Sequence, residues 1–338
     1  MNIHNDNQDI SSGPIARVAV LDDWQGIAEQ CVDWSPLRQQ AEIVFFHRPF
    51  ASASEVIASL VDFDAILAMR ERTAFPENVI ANLPRLKFFN MTGRRAPCLD
   101  AIVRRGVTVS TTGGGGNSAD TAEHTLGLIL AAARRIPEGD TAIKHGAFQE
   151  KVEPGHRLEG KTLGILGLGK IGGRVAGYAR ALGMNVIAWS RSMTPDKAAA
   201  AGVEAVGTNA DALFEQADVV SIHLVLSPQT QGIVGRAQLA RLRKGAILVN
   251  TSRGPLIDEE ALLEALNERR IQAALDVFNE EPMPPDHPLR TAPNVVLTPH
   301  LGYGTYENYE TFYRSSIENT LAFLSGAPIR LYVPESGA

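Results

Sequence analysis

The chain has 338 residues, of which 44% are hydrophobic and 21% charged, proportions typical of a globular enzyme with one or two domains. The formal net charge of −6 and the absence of a long Lys/Arg run argue against a nucleic-acid partner. Cys31 and Cys98 are far apart, so we expect reduced thiols in a cytoplasmic protein, with neither a disulfide framework nor a metal site. No apolar run approaches the roughly 18 residues of a membrane helix, so we expect no membrane association.

The first half of the chain predicts alternating strands and helices. Residues 1–14 are polar, which indicates a disordered tail and not a signal peptide. Buried strands are expected at residues 18–21, 43–46, 65–69, 86–89 and 107–110, with helices at 52–61, 76–83 and 100–106. This alternation predicts a parallel sheet with helices on its faces. The long helical pattern at 118–135 is interpreted as a crossover between domains.

The second half repeats the alternation from Lys161 onward. Six strands are expected, at 162–167, 184–190, 219–224, 246–250, 273–278 and 294–299. Helices are expected at 170–182, 211–216, 236–242, 258–268 and 304–325. After Arg253, the stretch from Pro255 to Leu266 is also interpreted as a helix opened by acidic residues.

A glycine-rich turn lies between the first strand and the first helix of this second half. The segment "TLGILGLGKIGG" follows an apolar run and opens a helix, which is the context that a dinucleotide-binding loop requires. We therefore expect the dinucleotide to contact Gly167, Gly169, Lys170, Ile171 and Gly172. A glycine-rich turn without a ligand and an S-adenosylmethionine site are the alternatives.

The end of the next strand bears on the choice of cofactor. The acidic residue that would bind the adenosine ribose is missing, and Ser190 followed by Arg191 stands there. A carboxylate would repel a 2′-phosphate, whereas serine and arginine accept one. We therefore expect NADP or NAD, with NADPH used at least as well as NADH. The alternative is that Arg191 is a solvated surface residue.

Several long motifs in order carry a family resemblance. "TAEHTLGLILA", "GILGLGKIG", "VSIHLVLSPQTQGIV", "LVNTSRGPLIDEEAL", "AALDVFNEEP" and "LTPHLG" resemble the D-isomer-specific 2-hydroxyacid dehydrogenases, which include phosphoglycerate dehydrogenase and hydroxypyruvate reductase. The resemblance covers residues 17–325 and implies an α/β protein of two doubly wound parallel-sheet domains. A Rossmann cofactor domain (117–303) is then inserted in a flavodoxin-like substrate-binding domain (15–116 and 304–338).

The resemblance also implies the reaction and its residues. NAD(P)-dependent hydride transfer is expected between the nicotinamide and C2 of a D-2-hydroxy acid or 2-keto acid. Arg253 is expected to bind the substrate carboxylate, to which its planar fork is matched. His300 is expected to be the acid/base, and Glu281, not Glu280, to orient its ring and stabilise the imidazolium. The alternatives are that Arg253 forms a structural ion pair, that Glu281 belongs to an exposed acidic loop and that His300 is a core histidine.

Other positions carry weaker expectations. Asp276 resembles the aspartate that contacts the nicotinamide carboxamide, and Thr251 of the N-T-S-R-G motif is also expected at the cofactor. His124 and His223 are expected to be packing residues. Four tyrosines follow His300, and most are expected in the core, with Tyr303 as a residue that lines the pocket; the other three are Tyr306, Tyr309 and Tyr313.

The chain departs from the family on the substrate side. Where the family has a small glycine-rich loop, "NMTGRRAPCLD" places Arg94 and Arg95 beside Gly93, and "MRERT" adds Arg70 and Arg72. We expect Arg70, Gly93, Arg94 and Arg95 to contact the substrate. These cations suit a phosphorylated or dicarboxylic acid, and solvated loops are the alternative.

Two further functions compete with the dehydrogenase. A non-enzymatic dinucleotide sensor of the corepressor type could use the same fold, although it would not need the Arg–Glu–His set. A formate dehydrogenase is disfavoured because the partner of its histidine is typically glutamine. The resemblance implies a homodimer formed through the cofactor domain. No regulatory domain is expected beyond Ala338.

Overall fold

The computed structural model describes residues 16–94, 96–113, 118–150, 152–206 and 209–334. The chain divides into a first compact unit (Met1–Gly116 with Thr305–Ala338) and a second compact unit (Asn117–Gly304). The expected tail at 1–14 lies outside the described residues.

Each unit is built on one parallel sheet. The strands of the first unit are β1 (Ala16–Val20), β2 (Ala41–Phe45), β3 (Ala65–Ala68), β4 (Phe88–Met91) and β5 (Thr108–Thr111). Those of the second unit are β6 (Thr162–Leu166), β7 (Asn185–Trp189), β8 (Glu204–Ala205), β9 (Val219–Ile222), β10 (Ile247–Asn250), β11 (Gln272–Leu275) and β12 (Val295–Leu297). The orders are β2-β1-β3-β4-β5 and β12-β11-β10-β9-β6-β7-β8. These are the flavodoxin-like and Rossmann orders, which confirms the predicted fold class.

Helices connect the strands in both units. In the first part of the chain they are α1 (Ala28–Cys31), α2 (Ser35–Arg38), α3 (Ala53–Leu60), α4 (Glu77–Ala81) and α5 (Leu99–Arg104). The second unit contains α6 (Ser118–Arg134), α7 (Ile136–Lys144), α8 (Lys170–Ala181), α9 (Pro195–Ala201), α10 (Asp211–Gln216), α11 (Arg236–Arg241) and α12 (Glu259–Asn267). The last helix, α13 (Tyr306–Leu324), returns to the first unit. None of the described helices is long and apolar enough to span a membrane.

The second sheet is apolar on both faces because helices cover both. Along β10, Leu248 belongs to one hydrophobic cluster and its neighbour Val249 to another. The second cluster includes Leu128 and Ile129 of α6. Consecutive strand residues point to opposite faces, so a strand buried on both sides must be apolar throughout.

Helix α13 completes the first unit through buried polar contacts. The fully buried Asn90 of β4 donates from Nδ2 to Ser316 Oγ (2.8 Å), and its Oδ1 accepts from Asn319 Nδ2 (2.7 Å). The segment after α13 also extends the edge of the sheet, since Tyr332 N donates to the Val109 carbonyl (2.8 Å). Buried polar groups require such partners, so this sheet depends on a distant part of the chain.

Two expectations need correction. The Gly254–Leu256 segment forms a 3-10 turn, and α12 begins only at Glu259, because the Asp258 side chain caps it by accepting from Ala261 N (3.1 Å). The second sheet has seven strands and not six, since β8 was not expected. Most of the four tyrosines that follow His300 are buried, as expected, and Tyr306 is 73% exposed.

A buried carboxyl group, that of Asp22, lies just beyond the end of β1. Asp22 is 1% exposed, and its Oδ1 accepts a hydrogen bond from Thr73 Oγ1 (2.7 Å). Arg72 Nη1 donates to the Asp22 carbonyl (2.8 Å), and its guanidinium lies 4.7 Å from the centroid of the Trp24 ring. Burial raises the pKa of Asp22 to about 6, although the hydrogen bond from Thr73 and the charge of Arg72 act in the opposite direction.

The free energy of unfolding of Asp22→Asn, relative to that of wild type, should increase as the pH rises. The folded-state pKa lies above the unfolded value, so the stability that Asp22 contributes is present below the unfolded pKa and is lost as the pH rises through the folded pKa. A shift of about two units corresponds to ~3 kcal/mol, of which ~2 kcal/mol falls between about pH 4.5 and about pH 7.5. Urea unfolding of Asp22→Asn and wild type across this range measures the change.

The exposed Asp33 supplies the control, because its hydrogen bonds with Ser35 lower its pKa. Between about pH 4.5 and about pH 7.5 the stability of Asp33→Asn relative to wild type should therefore not change with pH, because its folded and unfolded pKa values both lie below this range. A pH-independent difference for Asp22→Asn would contradict the assignment of a raised pKa.

Candidate active site

Three of the predicted residues follow neighbouring strands of the second sheet. Strand β11 pairs in parallel with β10 on one side and with β12 on the other. Arg253 follows β10, Glu281 follows β11 and His300 follows β12. Parallel strands end at the same edge, so a guanidinium, a carboxylate and an imidazole belong to loops that share this edge.

The imidazole of His300 is paired with the carboxylate of Glu281. His300 Nδ1 lies 2.5 Å from Glu281 Oε2, and both side chains are about one-third exposed. The other carboxylate oxygen, Oε1, accepts from Phe278 N (2.8 Å), which fixes its orientation. Because an ionised carboxylate only accepts, Nδ1 carries the proton, and Nε2 of the neutral ring has the free lone pair. The neighbouring Glu280 is exposed.

The turn that carries Arg253 is fixed by a buried asparagine. Asn250 Nδ2 donates to the Arg253 carbonyl (2.8 Å), and its Oδ1 accepts from Ser252 N (3.0 Å). Ser252 Oγ in turn donates to the Ile222 carbonyl (2.8 Å) at the end of the adjacent β9. The half-buried Arg253 donates from Nη1 to the Ser252 carbonyl (2.7 Å). One fully buried amide therefore holds both sides of the turn.

Close backbone contact joins the Arg253 turn to the loop that leads to Glu281. A Cβ atom on Gly254 would lie 2.1 Å from the carbonyl carbon of Phe278. A non-glycine residue at position 254 would push these two loops apart.

His300 lies on a turn with unusual backbone geometry. Its φ is +54°, a region that non-glycine residues seldom adopt. The main-chain N–H of His300 donates to the Asp276 carbonyl (2.8 Å). The ring of Tyr303 meets the imidazole edge to face, with centroids 5.6 Å apart. Tyr303 is buried, in contact with the predicted acid/base.

Asp276, expected at the cofactor, is 1% exposed. Thr298 Oγ1 donates to its Oδ1 (2.6 Å), and His124 Nε2 lies 3.1 Å from the same oxygen. Burial by itself would raise the pKa of Asp276, but the hydrogen bonds from His124 and Thr298 outweigh it, and the pKa lies below its usual value. The carboxylate is therefore charged and solvated by the protein.

The glycine loop fits a dinucleotide pyrophosphate. Gly167 has a φ of +105°, and its N–H donates to the carbonyl of Trp189 (2.7 Å). A Cβ on Gly172 would lie 2.3 Å from the Gly167 carbonyl oxygen, so helix α8 can approach the strand only with glycine there. Gly169, just before α8, has open space where its Cβ would be. This space lies at the amino end of the helix, where a phosphate is stabilised.

The other residues expected at the cofactor lie nearby in the same unit. Lys170 is exposed and Ile171 half-buried in the first turn of α8. Ser190 follows β7 directly after Trp189, and Arg191 is exposed. Thr251 is buried, and its hydroxyl lies 2.8 Å from Thr125 Oγ1 of α6. The cofactor roles of these residues stay predictions.

The residues expected on the substrate side belong to the first unit. Arg70 follows β3, and its side chain lies 3.8 Å from where a Cβ on Gly93 would be, so the structure brings these two together. Arg94 is exposed, and Arg95 lies outside the described residues. Arg72 donates to the Asp22 carbonyl and lies against the Trp24 ring, and its place among the substrate-side cations stays a prediction.

Three residues that build this site had no predicted role in it. Asn250 stands in the N-T-S-R-G motif, and Thr298 begins the T-P-H motif, but neither was given a role. His124, expected to be a packing residue, has its Nε2 3.0 Å from Thr298 Oγ1. The other histidine expected to pack, His223, lies 2.8 Å from Ser221 Oγ, and burial lowers its pKa to about 4. Among the described residues, no group of three or more His, Cys, Asp or Glu could hold a metal ion.

Comparison with known proteins identifies the family. Residues 126–302 match the NAD binding domain of the D-isomer specific 2-hydroxyacid dehydrogenases. The D-3-phosphoglycerate dehydrogenase of Archaeoglobus fulgidus is 36% identical over 82% of this chain and 53% of its own length. The glyoxylate reductase of Aeropyrum pernix is 42% identical over 68% of this chain and 70% of its own. The chain spans only about half the length of the phosphoglycerate dehydrogenases that it matches.

A solved structure shows the same fold. The phosphoglycerate oxidoreductase of Vibrio cholerae O395 superposes with a TM-score of 0.87 and 34% identity, over 92% of this chain and 100% of that chain. The family match covers more than half of the chain, in the unit that carries the glycine loop. The chain therefore belongs to the D-isomer specific 2-hydroxyacid dehydrogenase family, as the sequence predicted, and its second unit is the NAD(P)-binding domain.

Proposed function

We propose that the protein is an NAD(P)-dependent oxidoreductase that interconverts a D-2-hydroxy acid and the corresponding 2-keto acid. The main support is the His300–Glu281 pair, which lies at the edge of the sheet that also carries Arg253 and the glycine loop. The relatives are named for phosphoglycerate and glyoxylate, both of which are acids with oxygen at C2.

His300 is the group that moves the proton. With Nδ1 held by Glu281, Nε2 is the nitrogen available to the substrate. In oxidation Nε2 takes the proton of the C2 hydroxyl, and in reduction it returns a proton to the keto oxygen. The carboxylate of Glu281 stabilises the imidazolium and keeps the ring in one orientation. A pure dinucleotide sensor has no need of this pair.

Arg253 holds the acid group of the substrate. Its guanidinium is always charged and presents two parallel donors, which match a carboxylate. The turn fixed by Asn250 limits the positions that this guanidinium can take. When bound, NAD(P) supplies or accepts the hydride, and the open space at Gly169 is where its pyrophosphate would approach the amino end of α8.

Cations of the first unit bear on the charge of the substrate side chain. Arg70 and Arg94 are the described cations that would favour a phosphorylated or dicarboxylic acid. Arg72 contacts the Asp22 carbonyl and the Trp24 ring within the first unit. We keep a second anionic group on the substrate as a prediction, which turnover of mono- and dicarboxylic keto acids would test.

We also propose that the protein is a cytoplasmic homodimer formed through the second unit. Helix α7 has no buried residue, and apolar Ile136 and Ile143 are exposed on it, with Phe148 exposed just beyond. Exposed apolar groups of this kind mark interaction surfaces. Light scattering of the protein in solution tests the proposal.

Replacing His300 by alanine should lower kcat by ~10²–10⁴, the usual contribution of a positioned acid/base. Cofactor affinity should not change, because the glycine loop is untouched. Stopped-flow and steady-state assays with a panel of 2-keto acids measure kcat, and titration of reduced cofactor fluorescence measures binding. The exposed His156 of the same unit provides the control, since His156→Ala should keep full activity.

Near wild-type turnover of His300→Ala would show that another residue moves the proton. Cofactor binding by the wild type with no turnover of any keto acid would favour the dinucleotide sensor instead.

Adding one methyl group at Gly169 should weaken cofactor binding without destabilising the fold. The new Cβ has no protein neighbour within 4 Å, so it would occupy only the space needed by the pyrophosphate. We expect Gly169→Ala to raise the cofactor Kd at least about tenfold, with an unchanged melting temperature. The control is Gly173→Ala, which lies inside α8 with equally open space and should bind normally. Normal cofactor affinity in Gly169→Ala would show that the pyrophosphate does not bind next to Gly169.

The choice of cofactor depends on Ser190 and Arg191. We expect NADPH to be used at least as well as NADH, because no carboxylate repels the 2′-phosphate and Arg191 can pair with it. Ser190→Asp should shift the ratio of kcat/KM toward NADH by about 10- to 150-fold. Arg191→Ala should lower kcat/KM for NADPH only. A wild-type preference for NADH above about tenfold in kcat/KM would contradict this interpretation.

A further inference from the structure

Three threonine hydroxyls link the loops at the carboxyl edge of the first sheet. Strands β1, β3, β4 and β5 are parallel neighbours in that order, so the loops that follow them share one edge. The hydroxyl of Thr73 joins the first loop to the second, that of Thr92 the second to the third, and that of Thr112 the third to the fourth. The links therefore follow the order of the strands.

The first link joins the end of β1 to the loop after β3. Thr73 Oγ1 donates to Asp22 Oδ1 (2.7 Å), and both residues are buried. From the same loop, Arg72 Nη1 donates to the Asp22 carbonyl (2.8 Å). The main-chain amides of Met69 and Thr73 also stabilise the charged carboxylate. Asp22 therefore holds the far end of the loop that begins at Arg70.

The second link holds the beginning of the same loop. Thr92 Oγ1 accepts from Arg70 N (2.8 Å) and donates to Met69 Sδ (3.2 Å). Thr92 is itself fixed, because it is buried and its N–H donates to the Ala68 carbonyl (3.1 Å). The backbone of Arg70 is therefore tied to a rigid position just beyond β4.

The third link holds Gly93, the neighbour of Thr92. Thr112 Oγ1 accepts from Gly93 N (3.1 Å), and Thr112 N donates to the Met91 carbonyl (3.1 Å). Gly93 contacts Arg70 in turn, since a Cβ on Gly93 would lie 3.8 Å from the Arg70 side chain. The two residues of the first unit that are joined by this contact are thus each held by one threonine.

Both of these backbone positions need support. Arg70 has a φ of +57° and Gly93 a φ of +110°. A residue with a Cβ, such as Arg70, seldom adopts such a conformation, which persists only where the surroundings enforce it. Their N–H groups have left the ladder of the sheet and need other acceptors, which the hydroxyls supply. The direction of the Arg70 side chain depends on this backbone.

We propose that Asp22, Thr73, Thr92 and Thr112 form a positioning network that holds Arg70 and Gly93 where they contact the substrate. The proposal rests on the proposed function, in which Arg70 is a cation on the substrate side. The hydroxyls themselves touch neither substrate nor cofactor. They act through Arg70, because a charge-assisted hydrogen bond from a displaced guanidinium to an anion is weaker.

The test uses the full chain and pairs of variants at the three threonines. Replacement by valine removes the hydroxyl and keeps the branched shape, whereas replacement by serine keeps the hydroxyl. Thr320→Val is the matched control, since this threonine is also buried in the first unit but its hydroxyl donates to the Ser316 carbonyl of its own helix (2.7 Å).

The first readout separates KM from kcat with the 2-keto acid that the wild type reduces fastest. We expect Thr73→Val, Thr92→Val and Thr112→Val each to raise KM about three- to tenfold, the effect of one lost hydrogen bond. The kcat and the cofactor Kd should stay within about twofold of wild type, because the acid/base and the glycine loop are untouched. The serine variants should recover most of the lost affinity, and Thr320→Val should keep the wild-type KM.

The second readout is amide hydrogen exchange, which requires no substrate. Exchange at Arg70 should become faster in Thr92→Val, and exchange at Gly93 should become faster in Thr112→Val. Both amides should stay slow in the serine variants and in Thr320→Val. A general loss of stability would instead accelerate exchange throughout the first unit in the control as well.

The outcomes for the network and for the proposed function are distinct. If the wild type reduced no 2-keto acid, the proposed function would fail, and exchange at Arg70 and Gly93 would still support or overturn the network. The network is overturned if exchange at these amides is unchanged in the valine variants. Positioning is also overturned if exchange becomes faster while KM stays at the wild-type value, or if Thr320→Val raises KM as much as Thr92→Val does.

Discussion

Adjacent strands of a sheet lie about 4.8 Å apart, and in a parallel sheet all of them end at the same edge. The loops after β10, β11 and β12 must therefore share a strip about 10 Å wide. Crowding in this strip explains the absence of a side chain at Gly254, whose backbone touches that of Phe278. It also explains why buried polar groups, and not apolar packing, fix the turns. Backbone N–H groups that leave the ladder here need acceptors, and Asn250, Glu281 and Asp276 supply them.

The fold was largely predictable because both faces of the sheets are covered. Strands buried on both sides are continuous apolar runs, and these stand out in the sequence. Elements without such burial were missed. Strand β8 has two exposed residues and no apolar run, and α7 buries none of its side chains, so neither produces a recognisable pattern. The start of α12 was misplaced because Pro255 suits a 3-10 turn as well as a helix, and only the Asp258 cap distinguishes them.

The site was predictable in its residue types and less so in their partners. Arg253, Glu281 and His300 stand in motifs that resemble those of a known family, and the structure pairs two of them. The contacts of His124 with Asp276 and Thr298 join residues that are 152 and 174 positions apart in the sequence, and no local sequence pattern predicts a contact over such a separation. The same holds for Arg72, whose motif indicated a substrate cation but whose guanidinium bonds to the Asp22 carbonyl, 50 residues earlier. Roles set by distant contacts need the folded chain.

The assembly of the first unit from two separated stretches has a consequence for synthesis. Asn90 of β4 finds its partners Ser316 and Asn319 in α13, and Ser316 is made 226 residues later. At 5–20 residues per second, a ribosome needs roughly 10 to 45 s to reach them. During that interval the whole of the second unit (Asn117–Gly304) is synthesised, and it is continuous in sequence. We expect the second unit to fold first. Until α13 is made, the amide of Asn90 is hydrated and the first sheet is incomplete, so chaperones can reach it.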